Sequence, residues 1–257
     1  MSYLVIGTVA FLASGLTFFS GFGLGTLLLP AFALFFPVEQ AVAMTAVVHF
    51  LNGLFKLALV GRHADRRVVL RFGLPAVLAA VAGAAVLLRL SAVEPVLTYP
   101  LAGREVGVTA VKLVVGTLLL AFGVVELLPQ LRDRTFGPEY LPLGGLLSGF
   151  FGGLSGMQGA LRSAFLSRAG LSKEAFVATG VVVACLIDAS RLGVYSRALL
   201  AEGARLDYGL LGVAVAAAFA GAWLGNRFLK KLTMRGVQRV VAGLLVLVAV
   251  GLLTGLL

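Results

Sequence analysis

Long apolar runs alternate along the chain with short stretches where arginine, lysine, glutamate and proline collect. The runs cover residues 3–19, 22–36, 40–61, 68–90 and 107–128, then 141–154, 157–170, 174–195, 208–229 and 236–256. They are continuous rather than alternating, which predicts bilayer helices and not barrel strands. A crossing helix needs roughly 20 residues. The first two runs of each series fall short, so the pattern predicts a short pair, broken, tilted or re-entrant, followed by three long segments, twice over.

The short pairs carry a duplication. SGLTFFSGFGLGTLLLPAFALFFP begins at Ser14 and SGFFGGLSGMQGALRSAFLSRAGL at Ser148; Ser14 falls on Ser148, Gly15 on Gly149, Gly25 on Gly159, Ala41 on Ala175 and Thr45 on Thr179, without a gap. An offset of 134 residues is too long for a solenoid and reads as two halves of one fold. Five segments is an odd number, so the second copy enters the membrane the other way up. Charge supports this. Arg62, Arg66, Arg67 and Arg71 fill the loop between the first two long segments, whereas the next loop sets Arg104 against Glu94 and Glu105. In the second half Arg197 and Arg205 are offset by Glu202 and Asp207, and Arg227, Lys230, Lys231, Arg235 and Arg239 crowd the following loop. The positive-inside rule then gives inverted repeats over residues 1–129 and 141–257, joined by a cytoplasmic linker, 130–140. Arg132, Arg134, Arg168 and Lys173 also face the cytoplasm, and both termini are expected outside it.

Composition agrees. With 60% hydrophobic and 12% charged residues and a mean hydropathy of +1.05, the chain has too little polar surface for a soluble domain. The expected class is an all-α polytopic membrane protein. The net charge of +10 sits in loops, where it meets lipid headgroups, so nucleic acid is not an expected partner. Cys185 is the single cysteine, which excludes an intrachain disulfide or a thiol cluster. The first residues lack the basic region of a cleavable signal and are read as mature structure.

Polar residues inside the apolar runs are the candidates for chemistry. His49, Asn52 and Lys56 share one helical face, as do Asp188, Arg191 and Tyr195 at the same spacing in the second half. A charge facing lipid costs about 2.5–3.5 kcal/mol on the insertion scale, so these groups should face the interior or a wet cavity. For Lys56 and Arg191 the plain alternative is snorkelling towards headgroups. For Asp188 it is a structural ion pair with Arg191, for His49 a packed core histidine, and for Asn52 interhelical hydrogen bonding. Where glycines are dense, backbone can leave the helix and turn N–H groups towards an anion. Ser20, Gly21, Gly23, Gly25 and Thr26 mark the first such break, and Gly153, Ser155, Gly156 and Gln158 the second. Short polar side chains there would add donors around an oxyanion, and Arg162, one turn past Gln158, is the nearest mobile cation. Taken singly, each glycine is better explained by close helix contact; the duplicated pair together favours a site at the axis between the halves.

At GFGLGTLLLPAF and PVEQAVAMTAVVHFLNGLFK, and again at GGLSGMQGALRSAF and LSKEAFVATGVVVACLIDASR, the chain resembles the TauE/SafE sulfite-exporter family. The resemblance spans nearly the whole chain. It implies transport, often outward, of small sulfur-containing anions such as sulfite, sulfoacetate or other organosulfonates across the inner membrane. It carries function onto residues 21–30, Thr45, His49 and Asn52, and onto 153–159, Thr179 and Asp188. The copies differ where Pro30 becomes Ala164 and His49 becomes Val183, so unequal half-sites are expected.

The expectation is therefore a secondary transporter, not an enzyme, working by alternating access without a cofactor. Arg191 joins the substrate-binding set, and His49 or Asp188 would carry any coupled proton. No HExxH or paired acidic motif supports catalysis at a metal. An anion channel, or a cation or metal exporter of the same architecture, is the alternative; it would call for more intramembrane carboxylates than Asp188 and Glu126. Assembly as a homodimer is left open.

Overall fold

The computed structural model describes residues 1–16, 24–101, 104–132, 134–201, 207–228 and 234–257. It is built from helices α1 (Ser2–Leu16), α2 (Leu24–Ala33), α3 (Val38–Val60), α4 (Arg66–Ser91) and α5 (Ala110–Leu127), then the short α6 (Pro129–Arg132). A second series follows: α7 (Leu141–Ser155), α8 (Gly159–Leu166), α9 (Lys173–Ala201), α10 (Tyr208–Phe228) and α11 (Met234–Leu253). Among the described residues, Val38–His63, Arg66–Ser91, Ala110–Leu127, Lys173–Ser196 and Tyr208–Arg227 are long and apolar enough to cross a membrane. This is an all-α polytopic membrane fold, and the helices track the apolar runs closely.

Two features depart from the run pattern. Helix α9 continues past Tyr195 to Ala201. The loop after α4 forms an antiparallel hairpin, β1 (Leu97–Leu101) and β2 (Arg104–Val108), with Leu97 opposite Val108. It is pinned to the chain's last residues: the Tyr99 hydroxyl donates to the Thr254 carbonyl, and the Lys112 ammonium to those of Gly107 (2.9 Å) and Gly255 (3.3 Å).

Helix directions follow from contacts. Gly145, Gly149 and Gly153 of α7 lie on the carbonyls of Phe72, Ala76 and Ala80 of α4, so these two helices run parallel. A Cβ added at any of the three would stand 2.1–2.2 Å from the oxygen it meets. Small residues therefore let the two backbones touch, as membrane helices do in the absence of a hydrophobic driving force. The opposite face of α4 carries exposed Leu70, Leu74 and Leu78, a stripe suited to lipid. Helices α1 and α10 repeat this arrangement: Gly221 and Gly225 sit on the Phe11 and Gly15 carbonyls, and the Tyr3 hydroxyl donates to Asp207.

Helices α3 and α9 are antiparallel. Gly53 meets Cys185, and beyond the end of α3 the Asp65 amide donates to the Thr179 hydroxyl, so one index falls as the other rises. The Asp65 carboxylate also accepts from the Val68 amide at 2.9 Å and caps α4. Thus α9 starts on the face where α4 starts and ends on the face where α1 and α10 start. Helices α1 and α7 consequently begin on opposite faces.

The short pair α7–α8 is a helical hairpin. A left-handed Gly156 (φ 79°) ends α7, its amide bonded to the Gly152 carbonyl, and α8 restarts at Gly159. The end of α8 returns to the start of α7, with the Phe165 ring against Gly144. At roughly 1.5 Å per residue, the 15 residues of α7 fall short of a 30 Å hydrocarbon core. The tip at 156–158 therefore lies inside the protein, and Ser148 fixes it by donating to the Gln158 carbonyl at 2.9 Å.

Candidate functional site

The second break delivers its backbone to the first glycine stretch. A Cβ placed on Gly25, at the start of α2, would sit 3.3 Å from the Gly156 carbonyl oxygen, 3.5 Å from His49 Cδ2 and 3.9 Å from Thr45 Cγ2. Thus α2, the α7–α8 tip and the middle of α3 converge on one point. The first amides of α2 and α8 have no acceptor within their own helices.

Asp188 of α9 organises the polar groups around that point. Its carboxylate is fully buried, with Oδ2 2.5 Å from His49 Nδ1. Oδ1 accepts from Gln158 Nε2 at 3.0 Å and from Arg191 Nε at 2.9 Å. One carboxylate therefore binds α3, α9 and the tip together. The chain continues outward, because the Gln158 carboxamide oxygen accepts from Arg162 Nη1 at 2.9 Å. Arg162 is buried and held against α9, so it is an anchored cation rather than a mobile one.

Arg191 is fully buried as well. Its Nη2 lies 2.8 Å from Asp188 Oδ1, in ion-pair range but without hydrogen-bond alignment, and Nη1 points at Gly156, 2.9 Å from where a Cβ would be. Neither Nη1 nor Nη2 makes a hydrogen bond. The buried Thr45 hydroxyl, next to Gly25, also makes none. A buried donor without an acceptor carries a desolvation penalty of about 1–3 kcal/mol, and more if charged. These two side chains thus point unused hydrogen-bonding capacity at the convergence of the breaks.

Lys56 is buried too, so snorkelling does not describe it; Gly53, one turn earlier, packs on Cys185 of α9. Among the described residues the buried charged groups are Lys56, Arg162 and Arg191 against Asp188 and Glu126. Among these described groups formal positive charge exceeds negative by one.

The other expected site residues divide. Ser155 is buried beside Gly156, but its hydroxyl donates to the Phe151 carbonyl of its own helix. Thr179 lies some two and a half turns along α9 from Asp188 and accepts from the Asp65 amide, a structural tie to the start of α4. Asn52 accepts from the Ser14 hydroxyl at 3.1 Å, joining α3 to α1. Ser20, Gly21 and Gly23 lie outside the described residues.

The Ser14–Asn52 bond makes a specific expectation. Asn52→Ala should lower stability by about 1 kcal/mol. Ser14→Ala should do the same, and the double variant should be no worse than either single, because both remove one bond. Additive losses in a denaturation series would mean the two residues act separately.

Sequence reasoning passed over Ser14 and Ser148 as contributors, although they are equivalent positions of the duplication; each anchors a short pair, through Asn52 and through the Gln158 carbonyl respectively. Tyr195 stood in the polar stripe but outside the expected site. Its hydroxyl donates to the Gly153 carbonyl and holds α9 to α7 just below the tip.

No curated protein and no solved structure was found to match the chain. The sequence model of the family described as Sulfite exporter TauE/SafE matches residues 6–252 of the 257, over both helix series and every described residue of the cluster. The resemblance read from the glycine and threonine motifs holds across the fold, and the chain belongs to the TauE/SafE family of membrane sulfite exporters.

Proposed function

We propose that the chain is a secondary transporter that moves small sulfur-containing anions, sulfite or organosulfonates such as sulfoacetate, out across the inner membrane by alternating access. The observation that carries this reading is the Arg191 guanidinium, fully buried, with Nε and Nη2 against Asp188 and Nη1 free of hydrogen bonds beside the left-handed turn at Gly156. The edge of a planar guanidinium turned away from its carboxylate offers directed, charged donors to an oxyanion. Thr45 would add a hydroxyl donor, and the amides at the starts of α2 and α8 would complete the shell at helix N-termini.

The excess of buried positive charge favours an anion over the cation-exporter alternative. Two inverted repeats, 1–129 and 141–257, would supply the rocking bodies, with the linker 130–140 on the cytoplasmic face. Support comes from α1 and α7 starting on opposite faces, and from the exchanged pairing of α1 with α10 and α4 with α7. His49 and Asp188, joined at 2.5 Å, are the natural place to hold a coupled proton.

Thr45→Val tests the site without breaking a bond. Removing an unpaired buried hydroxyl with little change of shape should leave folding stability equal or higher. Sulfite flux in proteoliposomes should nevertheless fall about tenfold, the effect of roughly 1.4 kcal/mol in binding or barrier. Unchanged flux in Thr45→Val and in Gln158→Ala would remove the anion from this place.

A further inference from the structure

A cavity of about 690 Å³ opens between the end of α5, the linker and α8. Its rim is polar, with Arg134, Thr135 and Ser167, and Glu126 lies among its lining residues. A second, narrow cleft shares Phe122, Glu126 and Ala160 with it and ends on Thr26 and Met157. Thr26 follows Gly25, and Met157 follows Gly156, the two residues where the breaks meet. The two voids thus share a wall of Phe122, Glu126 and Ala160, and the inner cleft, only about 10 Å³, lies between that wall and the convergence of the breaks.

One wall of the outer cavity is the linker itself. Phe136 stacks on Phe165 of α8 with ring centroids 4.3 Å apart and an interplanar angle of 15°, and its amide donates to the Ala164 carbonyl at 3.3 Å. The linker is therefore docked over the opening by an aromatic pair and one backbone bond.

We propose that this cavity is the linker-side entrance of the transport route, with the Phe122–Glu126–Ala160 neck its constriction. The inference rests on the proposed anion site and names the path by which a hydrated oxyanion reaches it. Arg134 at the rim attracts the anion. The apolar walls offer it no competing partner, the Glu126 carboxylate at the neck must be protonated or turned aside to let it pass, and the neck admits it to the amides and to Arg191 only when the α5–α8 spacing widens.

Thiol accessibility tests the route independently of the substrate. Cys185→Ala removes the native thiol, and Ser163→Cys, Ala160→Cys and Thr26→Cys place one thiol at the outer cavity, the neck and the inner end. A membrane-impermeant anionic methanethiosulfonate is applied from the linker face or from the opposite face of oriented vesicles, with thermal unfolding as the folding control. All three thiols are expected to react at least tenfold faster from the linker face, Ser163→Cys first and Thr26→Cys last. Labelling at Ala160→Cys should block sulfite flux. Reaction at Ser163→Cys alone, or faster reaction of Thr26→Cys from the opposite face, overturns the route. Absent sulfite flux in the unlabelled protein with the reactivity order intact would count against the anion site and leave the entrance standing.

Discussion

Gly149→Val is expected to yield no folded protein. A Cβ at this position would stand 2.1 Å from the Ala76 carbonyl oxygen, with the Ala76 carbonyl carbon and Cα at 2.7 Å. These are backbone atoms inside a continuous helix, so no rotamer change relieves the overlap. Gly145 and Gly153 meet Phe72 and Ala80 in the same way, and the α4–α7 seam would have to open along its length. Separating the helices would also lift the α7–α8 tip off Asp188. A loss beyond about 4–5 kcal/mol, the exceptional range for one substitution, is the expected scale. Gly212→Ala is the control: nothing lies within 4 Å of its Cβ, and Ala should stabilise α10 by up to about 1 kcal/mol. Folded yield by size-exclusion chromatography separates the two, and normal yield of Gly149→Val would mean that the close seam is not present in the protein.

Asp188→Asn is expected to damage both folding and transport. The geometry makes Asp188 a common partner of His49, Gln158 and Arg191. Neutralising it leaves the Arg191 guanidinium buried with no adjacent counter-charge, a defect of about 3–5 kcal/mol when one partner of a buried pair is removed. Gln158→Ala removes a neutral member, so it should cost less stability while still disturbing the tip. Thermal unfolding in detergent orders the three proteins as wild type, Gln158→Ala, then Asp188→Asn. Equal midpoints for wild type and Asp188→Asn would show that Asp188 does not hold the three elements together.

The spans were legible because bilayer helices must be continuous, apolar and long, and the runs met all three conditions. The tip was legible at Gly156, since an apolar helix interrupted by closely spaced glycines has a place to stop. The pairing of His49 with Asp188 was not, because it depends on which faces of α3 and α9 meet, and helical periodicity places residues only within a single helix. The tie of Thr179 to Asp65 was hidden for the same reason: its equivalence to Thr45 is a matter of register, and register does not show that its hydroxyl accepts from the amide at the start of α4. Lys56 is long enough to reach headgroups from its position, and only its enclosure between helices decides that it does not. The β1–β2 hairpin was hidden in a loop whose two prolines and mixed charges gave no alternating pattern.

Sulfite titration of the purified protein followed by thermal unfolding tests the anion site most directly, since a ligand bound only to the folded state raises apparent stability with its concentration. Wild-type protein should gain stability with sulfite, Thr45→Val should need about tenfold more for the same gain, and Arg191→Lys, which keeps the charge but loses the fork, should gain little at any concentration. Equal sulfite-dependent gains in all three proteins would contradict an anion held between Arg191 and Thr45.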